Sequence, residues 1–416
     1  MDVLFPLKSK GFRLGSVLIP ALFIISCSKE KTVQTVFKES TPQSKSQCAG
    51  SALANQFIVN WEDGRYTVEK SVDKDHFIKD FLEPRLEDIK NVEFDRHFQF
   101  HPKNLIEKST TPPPQDWGQA TVGAQKVWNQ GIRGQGIRIA VIDSYVDTSH
   151  PYLTNNIEIN TLEIPDNGID DDKNGVIDDV RGAQFIDLPD NPQQAHSEHG
   201  SHVSGIIAGT HDSRFNYGMA PEAKIIPVQF IDDTGAGSIG NAILAVQYAT
   251  QRKAQIINAS WGGAPCVDTL KSALKAANDA GAIIVVAAGN ESQDIDYYPV
   301  FPAAFNLSHQ ITVAASGMKD LMMAFSNSGF QLVQIASPGE AIFSSIPGGF
   351  AYMSGTSMAA PIVSGAAALL WSAHPQATAV EIKSALLSGV DIYPGHEFQV
   401  QTRGRLNVSK SLDLLK

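Results

Sequence analysis

The sequence predicts an α/β fold with a mainly parallel sheet, preceded by a small α+β unit. Three observations carry that expectation. From residue 117 onward, short runs rich in Ile and Val recur ("GIRIAVID", "AKIIPVQFI", "QIINAS", "AIIVVAAGN"). They are apolar throughout instead of alternating, as strands buried on both faces are. Between them lie "SIGNAILAVQYATQRKA" and "DTLKSALKAANDAGA", with apolar positions three and four apart, the helical period. Strand and helix in alternation imply a parallel sheet covered by helices on both sides. Upstream, residues 55–100 mix strand-like and helix-like patches, and "STTPPPQDWG" then supplies three consecutive prolines, an extended boundary.

The totals fit one large domain with appendages: 416 residues, 43% hydrophobic and 19% charged, the proportions of an ordinary globular chain. With 33 basic against 44 acidic residues the net charge is -11, and no long basic run appears. Nucleic acid is therefore excluded as a partner.

Near the N-terminus, Lys8, Lys10 and Arg13 precede "GSVLIPALFIIS", an apolar stretch too short to span a bilayer comfortably. Basic start, apolar middle and small residue at the end are the layout of a secretory signal over residues 1–26. It runs into Cys27 as "IISC", which resembles the bacterial lipobox, in which the cysteine is lipidated and becomes the new N-terminus. The expected destination is across the cytoplasmic membrane, with a lipid on Cys27 holding the chain in the cell envelope. Residues 27–50 are polar and read as a flexible spacer. Residues 51–105 form the small unit, 106–116 a Pro-rich linker and 117–416 the main domain. Cys48 and Cys266 could pair outside the cytoplasm, but their spacing leaves the pairing open.

In open parallel sheets, functional groups gather at the carboxyl ends of the strands. Asp143 closes the first main strand and Asn290 a later one. His199 stands at the entrance to a helix in "SEHGSHVSGIIAGT", and Ser357 begins "SMAAPIVSGAAALLWSA". An acid, a histidine and a serine are what nucleophilic acyl transfer requires. The histidine takes the serine proton, and the acid fixes the imidazole tautomer and stabilises its cation. Each residue alone has a plainer role: a cap for Asp143 or Ser357, a turn for Asn290, a structural imidazole for His199. His196, His199 and His202, spaced by three, could also cluster around zinc, but the H-E-x-x-H pattern is missing.

Five ordered segments outweigh those plainer roles: "AVIDSYVDTSHPYL", "HGSHVSGIIAG", "NASWGG", "VVAAGNES" and "SGTSMAAPIVSGAAALL". Together they resemble the subtilisin-like serine proteases (subtilases) over residues 117–416. The resemblance implies a three-layer sandwich and an endopeptidase acting on proteins or peptides. It makes Asp143, His199 and Ser357 the triad and Asn290 an oxyanion donor beside the Ser357 N–H. It also makes Ser260, Trp261 and Gly262 the segment that pairs with an extended substrate. Residues 51–105 resemble, in position and element order, the inhibitory prosegment of that family, a partner within the same chain. An independent adaptor domain is the other reading of them.

One departure stands out. The family usually has glycine where this chain has Tyr145. If the backbone there is left-handed, a non-glycine residue costs about 1–2 kcal/mol. If glycine only leaves room, the phenol must lodge elsewhere and reshape the rim. Two rivals to an endopeptidase follow, a catalytically silent peptide-binding pseudoprotease and a serine esterase.

A last motif, "IDDDKNGVIDDVRG" (residues 169–182), opens like a D-x-[DN]-x-[DN]-G calcium loop. Asp170, Asp172, Asn174, Val176, Asp178 and Asp179 are the candidate ligands. Arg181 stands where an EF-hand has its bidentate glutamate, so the loop departs from that pattern. No cofactor is expected for catalysis; calcium would be structural.

Overall fold

The computed structural model describes residues 31–38, 51–100, 113–186, 197–214, 217–397 and 399–415. Cys27, Cys48, His196 and most of the 101–116 linker region lie outside the described residues.

Three strands open the described chain: β1 (Ala52–Trp61), β2 (Tyr66–Lys70) and β3 (Ile89–Gln99). The main domain continues with β4 (Arg138–Asp143), β5 (Ala183–Gln184), β6 (Lys224–Gln229), β7 (Ala236–Ser238), β8 (Ile256–Ala259) and β9 (Ile283–Ala287). It ends with β10 (Gln310–Ser316), β11 (Ile335–Pro338), β12 (Ile342–Ile346), β13 (Gly349–Met353), β14 (Asp391–Ile392) and β15 (Gly404–Arg405). Nine of these form the central sheet in the order β14-β15-β11-β10-β9-β8-β4-β6-β5. Every neighbouring pair is parallel except the β14–β15 edge. The α/β class and its mainly parallel sheet are as the sequence predicts.

The reason the strands read as unbroken apolar runs is visible in β4. Ile139 and Val141 enter the core on one face, Ala140 and Ile142 the core on the other. Helix His199–Ala208 and helix Thr356–Ala373 cover the first face, helix Ile239–Gln251 and helix Asp268–Asp279 the second. Thr356–Ala373 is apolar and long enough to cross a membrane, yet 89% of it is buried in the protein. It is the central helix of the core, not a span.

The small unit has a core of its own, in which Phe57, Val59 and Trp61 of β1 meet Phe77, Leu82, Ile89 and Val92. The intervening Ile58 joins the main domain's core, so β1 serves both through its two faces. The expected spacer needs a correction here. Residues 31–38 are packed, with Val36 and Phe37 buried in the small unit, Phe37 bridging to Val92, and the Lys31 Nζ donating to Glu62. Two apolar side chains within a polar run suffice to pin it down.

The two units share a sheet of order β2-β1-β3-β7, in which β7 is the main domain's contribution. The β3–β7 pairing is antiparallel, matching His97 with Ser238, Phe98 with Gly237 and Gln99 with Ala236. One step on, the Phe100 N–H donates to the Gly235 carbonyl at 2.7 Å. Two carboxylates of β3 reach the adjacent helices. Asp95, fully buried, accepts from the Gly240 N–H at 2.7 Å in the first turn of helix Ile239–Gln251, where backbone donors lack helical partners. Glu93 bonds the Thr269 side chain at the start of helix Asp268–Asp279.

Candidate active site

Parallel strands deliver their C-terminal residues to one edge of the sheet. Asp143 is the last residue of β4 and is completely buried; His199, also buried, is the first residue of its helix. The His199 Nδ1–H donates to Asp143 Oδ1 at 2.7 Å, and the same oxygen accepts the Ser144 N–H at 2.7 Å. A ring nitrogen that donates to a carboxylate leaves the other as acceptor, so Nε2 carries the free lone pair. Nε2 is buried and makes no hydrogen bond within the described residues. The edge of the Phe100 ring stands against the imidazole, 4.9 Å between centroids.

The approach of the His199 helix to β4 depends on one glycine. A Cβ on Gly200 would lie 2.5 Å from the Ser144 carbonyl oxygen and 2.7 Å from that of Tyr145. Both are backbone atoms that cannot swing aside. The Gly200 N–H instead donates to Ser144 Oγ at 3.1 Å, a short polar clasp between the two segments.

Ser357 occupies the first turn of helix Thr356–Ala373, directly after the extended Gly355. Its Oγ–H donates to the Ser260 carbonyl at 2.8 Å, and the Ser260 Oγ–H donates back to the Ser357 carbonyl at 3.0 Å. Asn258 extends this lock. Its amide donates to Ser260 Oγ at 2.9 Å, and its carbonyl accepts from Ser364 one helical stretch on. Asn290 sits beside the same turn. The Thr356 N–H and hydroxyl both donate to Asn290 Oδ1, at 2.9 and 3.0 Å. That orientation turns the carboxamide nitrogen to the Gly355 side, 3.6 Å from where a Cβ on that residue would stand.

Asp143 and His199 are thus paired across two elements, and Asn290 is bonded to Thr356, the neighbour of Ser357. Ser260 braces Ser357, and Trp261 is buried with its ring against Phe230 and Phe98, at 4.9 and 5.6 Å. Its indole N–H, bonded to the Ile142 carbonyl at 2.9 Å, fixes that ring. The strand that actually receives a neighbouring peptide in this structure is β7, which the sequence reading passed over. Its "TGAGS" has no apolar run to announce it; small residues ahead of an apolar helix were the only signal. Asn258, inside an apolar strand, was also missed.

Tyr145 carries no left-handed strain, since its φ is not positive. It is half-buried and lines a cavity of about 220 Å³ with Asp178 and Arg181. The residue therefore shares that cavity with the acidic loop. Of the other histidines, His202 is fully buried, and burial drives its pKa down to about 3 against the ordinary 6.5. It stays neutral, bonding the Ala351 carbonyl at 3.1 Å, and no zinc cluster with His199 forms among the described residues.

The six candidate metal ligands divide. Asp170 caps the Asn174 and Gly175 N–H groups, at 3.1 and 2.9 Å, and Asp178 those of Asn167 and Gly168, at 3.1 and 3.0 Å. The Asn174 carbonyl oxygen accepts from the Val176 N–H at 2.9 Å. Asp172 and Asp179 converge instead on a residue outside the predicted set, Glu163.

The structure thus holds a buried acid–imidazole pair at the end of β4 and a serine in the first turn of a core helix, on a mainly parallel sheet. Comparison with known proteins narrows this. The model of the Subtilase family matches residues 134–408. Subtilisin E of Bacillus subtilis (strain 168) is 33% identical over 295 residues, 70% of this chain and 70% of its own length. Subtilisin of Bacillus pumilus is 33% identical over 295 residues, 70% of this chain and 96% of its own length. The major intracellular serine protease of Bacillus subtilis (strain 168) is 35% identical over 266 residues, 61% and 74% of the respective chains. The chain belongs to the subtilase family and is a serine-type endopeptidase.

Proposed function

We propose that Asp143, His199 and Ser357 act as the catalytic triad of this endopeptidase, with Asn290 as oxyanion donor. The observation that carries the reading is the buried Asp143–His199 hydrogen bond of 2.7 Å, which fixes Nε2 as the available base. In this reading the Ser357 hydroxyl leaves the Ser260 carbonyl, to which it donates at rest, and donates to Nε2. Oγ then attacks the substrate carbonyl carbon as its proton passes to His199. The oxyanion is met by the Asn290 amide and the N–H of Ser357 at the helix start, and such donors act most strongly when fixed before the charge develops. His199 returns the proton to the departing amine, and water repeats the sequence on the acyl-enzyme to release the acid.

Residues 51–100 act in this reading as an intramolecular inhibitor. β3 adds to β7 as an extended substrate would, by main-chain bonds, while Phe100 covers His199. The chain is exported by the signal at residues 1–26 and held by a lipid on Cys27. Self-cleavage within 101–116 would then release the peptidase domain from its tether.

The test is the intact mass of the exported wild-type protein beside Ser357→Ala made with the same leader, together with casein hydrolysis. A wild-type chain shortened within 101–116, an uncut mutant and casein turnover only by the former are expected. Both chains remaining whole, with casein intact, would sink the reading in favour of a silent peptide-binding protein.

A further inference from the structure

A proline interrupts the hydrogen bonding of the helix that carries Ser357. Inside an α-helix each carbonyl receives the N–H of the residue four positions on. For Ser357 that residue is Pro361, which has no N–H and whose ring crowds the carbonyl it faces. The Ser260 Oγ–H takes the place of the missing donor, reaching the Ser357 carbonyl at 3.0 Å. A hydroxyl rotates freely, so its proton has to be aimed. The Asn258 amide aims it by donating to Ser260 Oγ at 2.9 Å, which leaves the Ser260 proton for Ser357. A carboxamide can itself turn over and present oxygen where nitrogen stood. The Ser364 hydroxyl opposes that turn by donating to Asn258 Oδ1 at 2.8 Å.

We infer that Asn258 is a positioning residue for peptide hydrolysis: oriented by Ser364 and acting through Ser260, it fixes where Ser357 stands at the helix start. This rests on Ser357 being the nucleophile, as proposed above. The spacing suits the task. Positions 258 and 260 share one side of an extended chain, and positions 357 and 364 share one stripe of a helix. Two rungs therefore join strand and helix, the first at Ser357 and the second two turns deeper. Asn258, Ser260 and Ser364 are completely buried, in the layer to which Ile256, Val363 and Ala367 belong. Apolar groups of the same shape in place of both Asn258 and Ser364 would hold that layer about as well, so stability alone does not require an amide there. What apolar groups cannot do is direct a proton. Without the amide the Ser260 hydroxyl is free to bond elsewhere, and the Ser357 carbonyl loses its donor. Thr356 is tied separately to Asn290, so a shift at Ser357 changes the nucleophile's place relative to that donor. A misplacement of about 1 Å can cost on the order of 10²-fold in rate.

The test compares Ser364→Ala, Asn258→Ala and the double variant, each made as the full chain with its own leader. Hydrolysis of labelled casein is measured, and rates are divided by the amount of serine that a phosphonyl fluoride labels at completion. Asn258→Ala should lower kcat on the order of 10²-fold with KM within about twofold. Ser364→Ala keeps the amide but frees it to turn, and should show a smaller loss of the same kind. The double variant should be no slower than Asn258→Ala alone, because Ser364 acts only through the amide. Ile284→Val, a buried change in β9 outside these bonds, is the control: it should melt lower and keep its kcat. An unchanged kcat in either single variant overturns the inference, and Ser364→Ala decides alone where Asn258→Ala does not fold. Losses that multiply in the double variant overturn it too, as does an equal fall of kcat in Ile284→Val. Ser357→Ala is run beside them. If it still hydrolyses casein, the triad reading itself fails; if it is inert while Asn258→Ala keeps full kcat, only the positioning role falls.

Discussion

The hold of the small unit on the cleft can be taken apart at Phe98. Its ring is 1% exposed and stands 5.6 Å from both Phe230 and Trp261, which are themselves in contact. Phe98 belongs to the main domain's core although it lies in β3, so its burial depends on the two units staying together. Replacing a buried phenylalanine by alanine costs about 3–5 kcal/mol. Taking about 3 kcal/mol as the share felt at the interface, opening of the β3–β7 pairing becomes about a hundredfold more frequent at 1.4 kcal/mol per decade. Hydrogen exchange of the Phe100 amide, bonded to Gly235, reads that opening directly. Compared in a Ser357→Ala background, Phe98→Ala should exchange this amide about two orders of magnitude faster, while amides of β8 and β9 keep their protection. If the Phe100 amide exchanges within twofold of its parent, the aromatic contact does not hold the strand, and the pairing rests on the backbone bonds and on Asp95 and Glu93.

Two further outcomes follow from the site. Asn290→Ala should lower kcat by about 10²–10³-fold with little change in KM, the signature of a donor used in the transition state; an equal rise in KM with kcat intact would assign Asn290 to ground-state binding. His202, neutral when folded with a pKa of about 3, gains a proton below pH 6.5 only on unfolding. Its contribution is therefore whole above pH 6.5 and is lost as pH falls towards 3, at about 1.4 kcal/mol per unit. Between pH 6.5 and 5 that amounts to about 2 kcal/mol. Melting of Ser357→Ala protein across this range should flatten when His202→Gln is added, and parallel slopes would contradict the assignment.

Much of this was written along the chain. Five segments carry the family resemblance, and the main strands stand out because β4, β6, β8 and β9 bury both faces, which forces continuous Ile and Val. Asp143 could be placed because a strand's end is also a run's end, whereas Asn290 lies three residues past the end of β9. The Asp-His-Ser order and the helix starts at His199 and Ser357 are local features, set by glycine and small residues beside them. The buried Val36 and Phe37 were hidden by the opposite circumstance, two apolar residues in a polar stretch.

What only the tertiary structure decided is everything that depends on residues far apart meeting. The main domain lends β7 to the small unit's sheet although "TGAGS" has no strand pattern, because β3 supplies the apolar side chains and β7 only the backbone. Tyr145 is harmless or harmful according to its φ and its cavity, and neither is encoded by its own identity. Glu163 stands six residues before the acidic motif at 169–182, and only the fold of the intervening turns brings it to Asp172 and Asp179. Local chemistry sets strands, helix starts and motifs; convergence in space is the work of the packed chain.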